Sequence, residues 1–183
     1  MAIGFFDLET LKLFKEIGGR YPLEIQTPKL GLSIAGLVVD EQPIKFFEDK
    51  DVENLIEILK GLDIIAGHNL IEFDYLVLKP YTRFDMTILH PKTVDTLMAT
   101  KDKTGIFIGL DHLVKVTFGL EKTEDHMKIP SMWNSGNEDE RKKVKNYLKS
   151  DIELTKRLYL HGKKGLPIRY EKNGEIKEFV ADW

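Results

Sequence analysis

The segment Gly4-Phe5-Phe6-Asp7-Leu8-Glu9-Thr10 limits the folds open to this chain more than any other. Its apolar residues suit a buried strand, yet two carboxylates sit among them. Side chains two apart on a strand share a face, so Ile3, Phe5, Asp7 and Glu9 point one way and Phe6 and Leu8 the other. A strand apolar on both faces belongs in the middle of a covered sheet. Two acids on one such face carry a desolvation cost and repel each other. Two arrangements relieve this. The acids can lie at the exposed end of the strand, or a hard divalent cation can neutralise both through carboxylate oxygen. The tripeptide Asp7-x-Glu9 alone does not separate them.

The rest of the chain supplies the covering. Strands are predicted over 30–40 and 43–49, joined by the polar turn Asp40-Glu41-Gln42-Pro43. Leu55, Ile58, Leu59 and Leu62 recur at helical spacing, which predicts a helix over 52–62. A short strand over 63–69 precedes a helix over 70–79 that Pro80 stops. Residues 93–99 read as a strand containing Asp95, 110–119 as a helix, and Trp133 falls in a loop. The longest helix, over 137–162, opens on Asn137 and three acids and closes at Gly162. Asn173-Gly174 between alternating segments marks a hairpin. This order implies an α/β fold with a mixed central sheet and helices on both sides, plus a C-terminal hairpin. The 183 residues suit one domain, expected over 1–165, with 166–183 a hairpin tail packed on it.

The net charge of −3 gives no signal for nucleic acid through charge alone, although bound cations and local lysines can supply positive potential. Cysteine is absent, which excludes disulfides and thiolate metal sites and favours a cytoplasmic location. Asp7 interrupts the initial apolar run too early for a signal peptide, and no window approaches a membrane span.

Two further acids sit on apolar surfaces. Asp74 lies near one helical face with Leu70, Val77 and Leu78; a surface acid beside that stripe is the plainer alternative. Asn69 followed by Glu72 resembles a capping box. Asp151 lies four residues after Tyr147 on a stripe continued by Leu154 and Leu158. Tyr147 alone suits a core aromatic. Lys142, Lys143, Lys145 and Lys149 suit a solvated helix face better than phosphate contacts. His68, His112, His126 and His161 have no metal-ligand spacing.

Together, Asp7-x-Glu9, Asn69-x-x-x-Phe73-Asp74 and Tyr147-x-x-x-Asp151, on strand, helix and helix, resemble the three motifs of the DEDD superfamily of 3′–5′ exonucleases. The tyrosine matches its DEDDy branch; the histidine position of the DEDDh branch is Asn146 here. Within that branch the chain is similar to the exonuclease domain of family B DNA polymerases and to the small predicted exonucleases related to it. The resemblance covers residues 1 to about 160.

It implies a ribonuclease H-like fold of about five strands and hydrolysis of single-stranded DNA, ahead of RNA, from the 3′ end with two divalent ions, Mg²⁺ or Mn²⁺, roughly 4 Å apart. It implies that Asp7 bridges both ions, that Glu9 and Asp151 bind the ion carrying the nucleophilic water, and that Asp74 holds the second through water. Tyr147 then orients the water, since an ordinary tyrosine pKa of about 10 suits orientation better than proton abstraction. The resemblance puts Thr10, Leu11, Asn69 and Phe73 at the terminal nucleotide, with core packing the alternative for Leu11 and Phe73. Implied partners are single-stranded DNA or RNA ends and a DNA polymerase or repair complex, with no membrane. The alternatives are an inactive nucleic-acid- or polymerase-binding domain and an RNA-processing nuclease of the same fold.

Overall fold

Phe5 and Phe6 are both almost fully buried, on opposite faces of one sheet. The computed structural model describes residues 1–120 and 126–183. Strands β1 (Ile3–Thr10), β2 (Leu32–Val39), β3 (Lys45–Phe47), β4 (Ile64–Gly67) and β5 (Thr93–Asp95) form a sheet in the order β3-β2-β1-β4-β5. β1 pairs antiparallel with β2, and β2 with β3; β4 runs parallel to both β1 and β5. The sheet is mixed, as expected, and β1 is its centre.

Seven α-helical segments complete the described architecture: α1 (Leu23–Gln26), α2 (Val52–Gly61), α3 (Tyr75–Leu78), α4 (Thr96–Thr104), α5 (Leu110–Phe118), α6 (Ile129–Asn134) and α7 (Glu138–Lys163). Phe6 and Leu8 pack with Leu55, Ile56 and Leu59 of α2 and with Val77 and Leu78 of α3. Phe5 packs on the other face with Ile34, Trp133, Val144, Leu148 and Ile152. Each large apolar side chain buried this way contributes about 1.5–3 kcal/mol. Helices therefore cover both faces, which is why β1 can be apolar on both.

Three local expectations are corrected. The 93–99 strand stops at Asp95, because its carboxylate accepts the N–H groups of Leu97 (3.1 Å) and Met98 (3.3 Å) and starts α4. Trp133 lies in α6, not a loop; Pro130 occupies the first turn, where its missing N–H costs nothing. Trp133 is buried in the second core, with the Arg141 guanidinium 5.0 Å from its ring. The capping box at Asn69 does not form: an N-cap needs extended backbone, and Asn69 is left-handed at φ +75°. The long helix does begin as expected, with Asn137 Oδ1 accepting from Asp139 (2.8 Å) and Glu140 (3.1 Å).

The hairpin of β6 (Ile168–Lys172) and β7 (Glu175–Phe179) is a separate sheet. Asn173 and Gly174 both have positive φ, as the tight turn requires. Ile168 and Tyr170 pack on Leu113, Val114 and Leu158. The outer edge of β6 is held by α5, where Thr117 exchanges hydrogen bonds with Arg169 and His112 Nε2 accepts from the Glu171 N–H at 2.9 Å.

Candidate metal centre and adjoining cleft

Because β1, β4 and β5 are parallel, their C-terminal ends open on one edge of the sheet. That edge collects the acids. Asp7 and Glu9 occupy the second half of β1, Asp74 ends the turn after β4, and Asp95 ends β5. Asp7 lies opposite Gly36 of β2. A Cβ at Gly36 would come within 2.7 Å of Ile152 Cδ1, so the missing side chain lets α7 approach the sheet. Asp151 precedes Ile152 and is 7% exposed. As a result Asp7, Glu9 and Asp151 each offer a carboxylate oxygen within 4.8 Å of one another. Asp7 and Glu9 are half-buried, and the pairing of β1 with β2 shifts register just beyond them, between Glu9 and Thr10. They thus lie near the strand end and also face a third acid.

Asp74 reaches the same edge through a π-helical turn, Leu70–Asp74. A Cβ at Gly67 would lie 2.4 Å from Leu70 Cγ, so the turn closes directly over the strand end. Asp95 holds it there. Its carboxylate accepts the N–H groups of Asn69 (2.8 Å) and Ile71 (3.1 Å) besides those of α4. One buried acid thus satisfies orphan donors at two helix starts. Asp95→Asn replaces one acceptor oxygen by a donor and is expected to cost about 1–2 kcal/mol, read as a shift in the denaturation midpoint.

Asp74 itself is 1% exposed, and its Oδ1 has no hydrogen-bond partner among the described residues. Burial pushes its pKa well above the ordinary 3.8, and the charges of Asp7, Asp95 and Glu9 add to the rise. A buried, orphaned carboxylate oxygen facing other acids fits a cation. The donor set is all oxygen, which suits a hard divalent ion. Asp7, Glu9 and Asp151 could hold one such ion, with Asp74 beside them.

Tyr147 is buried, 8% exposed, one helical turn before Asp151. The neighbouring lysines serve the helix face: Lys143 pairs with Glu140, Lys149 with Glu153, and the Lys145 ammonium lies over Phe46. His68 Nδ1 is 2.9 Å from Thr96 Oγ1, a packing role.

A cleft of about 420 Å³ adjoins the acids. Glu9, Thr10, Asn69 and Phe73 line it, three of them expected at the terminal nucleotide. Thr10 Oγ1 also donates to the Lys12 carbonyl at 2.9 Å, turning the chain out of β1. Leu11 instead packs with the second core and lies 3.1 Å from where a Gly31 Cβ would stand. The sequence reading missed Lys12, Phe14, Lys15, Arg20 and Met127 in this lining. Their only signal was a mixture of basic and aromatic residues just after the first acidic motif.

No family model and no curated relative matches the chain. Among solved structures, the family B DNA polymerase of the hyperthermophilic archaeon Pyrobaculum calidifontis is similar, with a TM-score of 0.61 at 16% identity. The alignment covers 89% of this chain and 24% of the polymerase, so the chain spans about a quarter of that protein's length. At this identity the likeness is one of fold: α/β, ribonuclease H-like, as the sequence implied. No described helix is long and apolar enough to cross a membrane.

Proposed function

We propose that this chain is a metal-dependent 3′–5′ exonuclease of the DEDDy type, acting on single-stranded ends. The observation that carries this reading is the convergence of Asp7, Glu9 and Asp151 within 4.8 Å beside a cleft that Glu9 lines, with Asp74 buried near them. Likeness of fold to a DNA polymerase favours DNA over RNA, and a polymerase or repair complex is the partner class it suggests. Two bound Mg²⁺ or Mn²⁺ ions would activate water and stabilise the charge that develops on the leaving oxygen.

In this reading Asp7, Glu9 and Asp151 hold the cations, and Asp74 balances the charge from the side of the π turn. A water oxygen attacks the last phosphorus in line with the bond to be broken. The bond from phosphorus to the penultimate O3′ breaks. The water gives up a proton, O3′ gains one, and a nucleoside 5′-monophosphate leaves. Tyr147 directs the attacking water with its hydroxyl, and Phe73 stacks on the terminal base.

The test is digestion of 5′-labelled single-stranded DNA and RNA with Mn²⁺. A ladder shortening from the 3′ end and abolished by EDTA is expected. Cleavage within a closed single-stranded circle would exclude the exonuclease assignment. Tyr147→Phe removes only the hydroxyl and is expected to lower turnover about 100-fold, the scale of a misplaced reacting group. Mn²⁺ affinity, measured by calorimetry, stays at the wild-type value. Turnover equal to wild type would take Tyr147 out of the mechanism.

A further inference from the structure

The segment between β1 and β2 builds a wall that the acidic centre does not account for. Phe73 meets Phe14 edge to face, with ring centroids 6.1 Å apart. The Arg20 guanidinium lies 5.7 Å from the Phe14 ring and 5.9 Å from the Tyr21 ring. Tyr21 is 72% exposed. Phe73, Phe14, Arg20 and Tyr21 therefore form a continuous series of flat groups leading from the acidic site to solvent. Each flat group is of a kind on which a nucleobase stacks.

The charge on the cleft side of this wall is mostly positive; Glu16, the acid within it, accepts the Leu13 N–H at 2.6 Å. Lys12, Lys15 and Arg20 line the cleft, while Glu9 at its inner end is the one acid of the lining among the described residues. All three cations are exposed, and none has an ion-pair partner among the described residues. The chain as a whole carries −3, so this local cationic strip runs against the net charge. A row of unpaired cations beside a row of flat groups is complementary to an unpaired nucleic-acid strand, with phosphates on one side and bases on the other. The cleft volume, about 420 Å³, is within the range of small-ligand sites and leaves the outer groups for additional nucleotides.

We propose that residues Lys12 to Tyr21 are the binding track for the nucleotides upstream of the scissile bond. Their bases stack on Phe14, Arg20 and Tyr21, and their phosphates meet Lys12, Lys15 and Arg20. This rests on the exonuclease reading, because it takes the acidic centre as the place where the 3′ end sits. The track explains how a chain of negative net charge holds a polyanion. It also requires unpaired bases, since stacked platforms cannot enter a duplex.

The test compares wild type with Arg20→Ala/Tyr21→Ala, a double change at exposed positions. Binding of a 5′-labelled oligothymidylate dinucleotide and octanucleotide is followed by fluorescence anisotropy in EDTA, where the substrate remains intact. The double variant is expected to lose about thirtyfold or more in affinity for the octanucleotide, the low end for two lost stacking platforms, and to lose much less for the dinucleotide. Arg20→Ala alone should lower the slope of log affinity against log salt by about 0.7, one phosphate contact on a single strand. Equal effects on both lengths, or none on either, would overturn the track. Arg20-dependent, length-dependent binding by a wild-type protein that cleaves neither DNA nor RNA would support the track and remove the exonuclease reading.

Discussion

Asp7→Ala abolishes hydrolysis, by about a thousandfold or more, while leaving the fold in place. The size follows from what Asp7 touches. It groups with Glu9 and Asp151 within 4.8 Å, and its charge is the largest outside influence on buried Asp74 after desolvation. Among the described residues no other acid is tied in this way both to the three-acid group and to Asp74 as the foremost charge. Removing it leaves two acids where three converged, so a hard cation is held more weakly and no longer at the point where the three carboxylates meet. Loss of a principal electrostatic contact in a water-poor site costs about 10²–10³ in rate, and loss of the cation that organises the reaction costs more. The fold tolerates the change because Asp7 is half-buried and carries none of the core packing, which falls to Phe5, Phe6 and Leu8. Single-turnover cleavage of a 5′-labelled strand with Mn²⁺ measures the rate, and calorimetric titration measures the metal. Cleavage within tenfold of wild type would dismiss Asp7 as a ligand.

The central sheet was legible because β1 carries its own contradiction. Alternate burial of Phe5 and Phe6 requires cover on both faces, and the helical periods at 52–62 and 137–162 supply it. The acids were legible as a set through their order and types, not through any one of them. Asp95 was the harder case. Its residues, Thr93-Val94-Asp95-Thr96-Leu97, alternate like a strand, and a cap that serves two distant helix starts leaves no pattern along the sequence. Asn69 misled for a related reason. Asn69 and Glu72 have the spacing of a capping box, but Asn69 is left-handed and its N–H goes to Asp95, 26 residues further on, a partner that local spacing does not reveal. The basic and aromatic wall was invisible as a site because Phe14 and Arg20 approach Phe73 only once the segment between β1 and β2 folds back over the turn after β4.

Without metal, the protein should lose stability as pH rises, and a divalent cation should reverse this most strongly at the high end. The direction follows from Asp74. Burial first, and then Asp7, Asp95 and Glu9, raise its pKa well above 3.8 in the folded state. In the window from about 3.8 up to that raised value, the unfolded chain has released this proton and the folded chain keeps it. The folded state then binds more protons, so unfolding free energy falls with rising pH across the window and stays low above it. Below 3.8 both states hold the proton, and the full contribution is present. A cation favours the deprotonated acids, so its effect must grow through the same window. At about a hundred times its Kd it adds about 2.7 kcal/mol, which for a chain of this size is roughly 5–10 °C in Tm. Thermal melts in EDTA and in Mn²⁺, at pH 4.5 and at pH 8, should therefore differ little at the acid end and by about that amount at the other. Asp74→Asn removes the titrating group without changing its shape. In EDTA it should melt above wild type at pH 8 and flatten the pH slope, because the neutral amide no longer has to be deprotonated among three acids. Equal stabilisation by Mn²⁺ at both ends, or an unchanged slope in the Asp74→Asn variant, would show that Asp74 is not the group that couples folding to the metal.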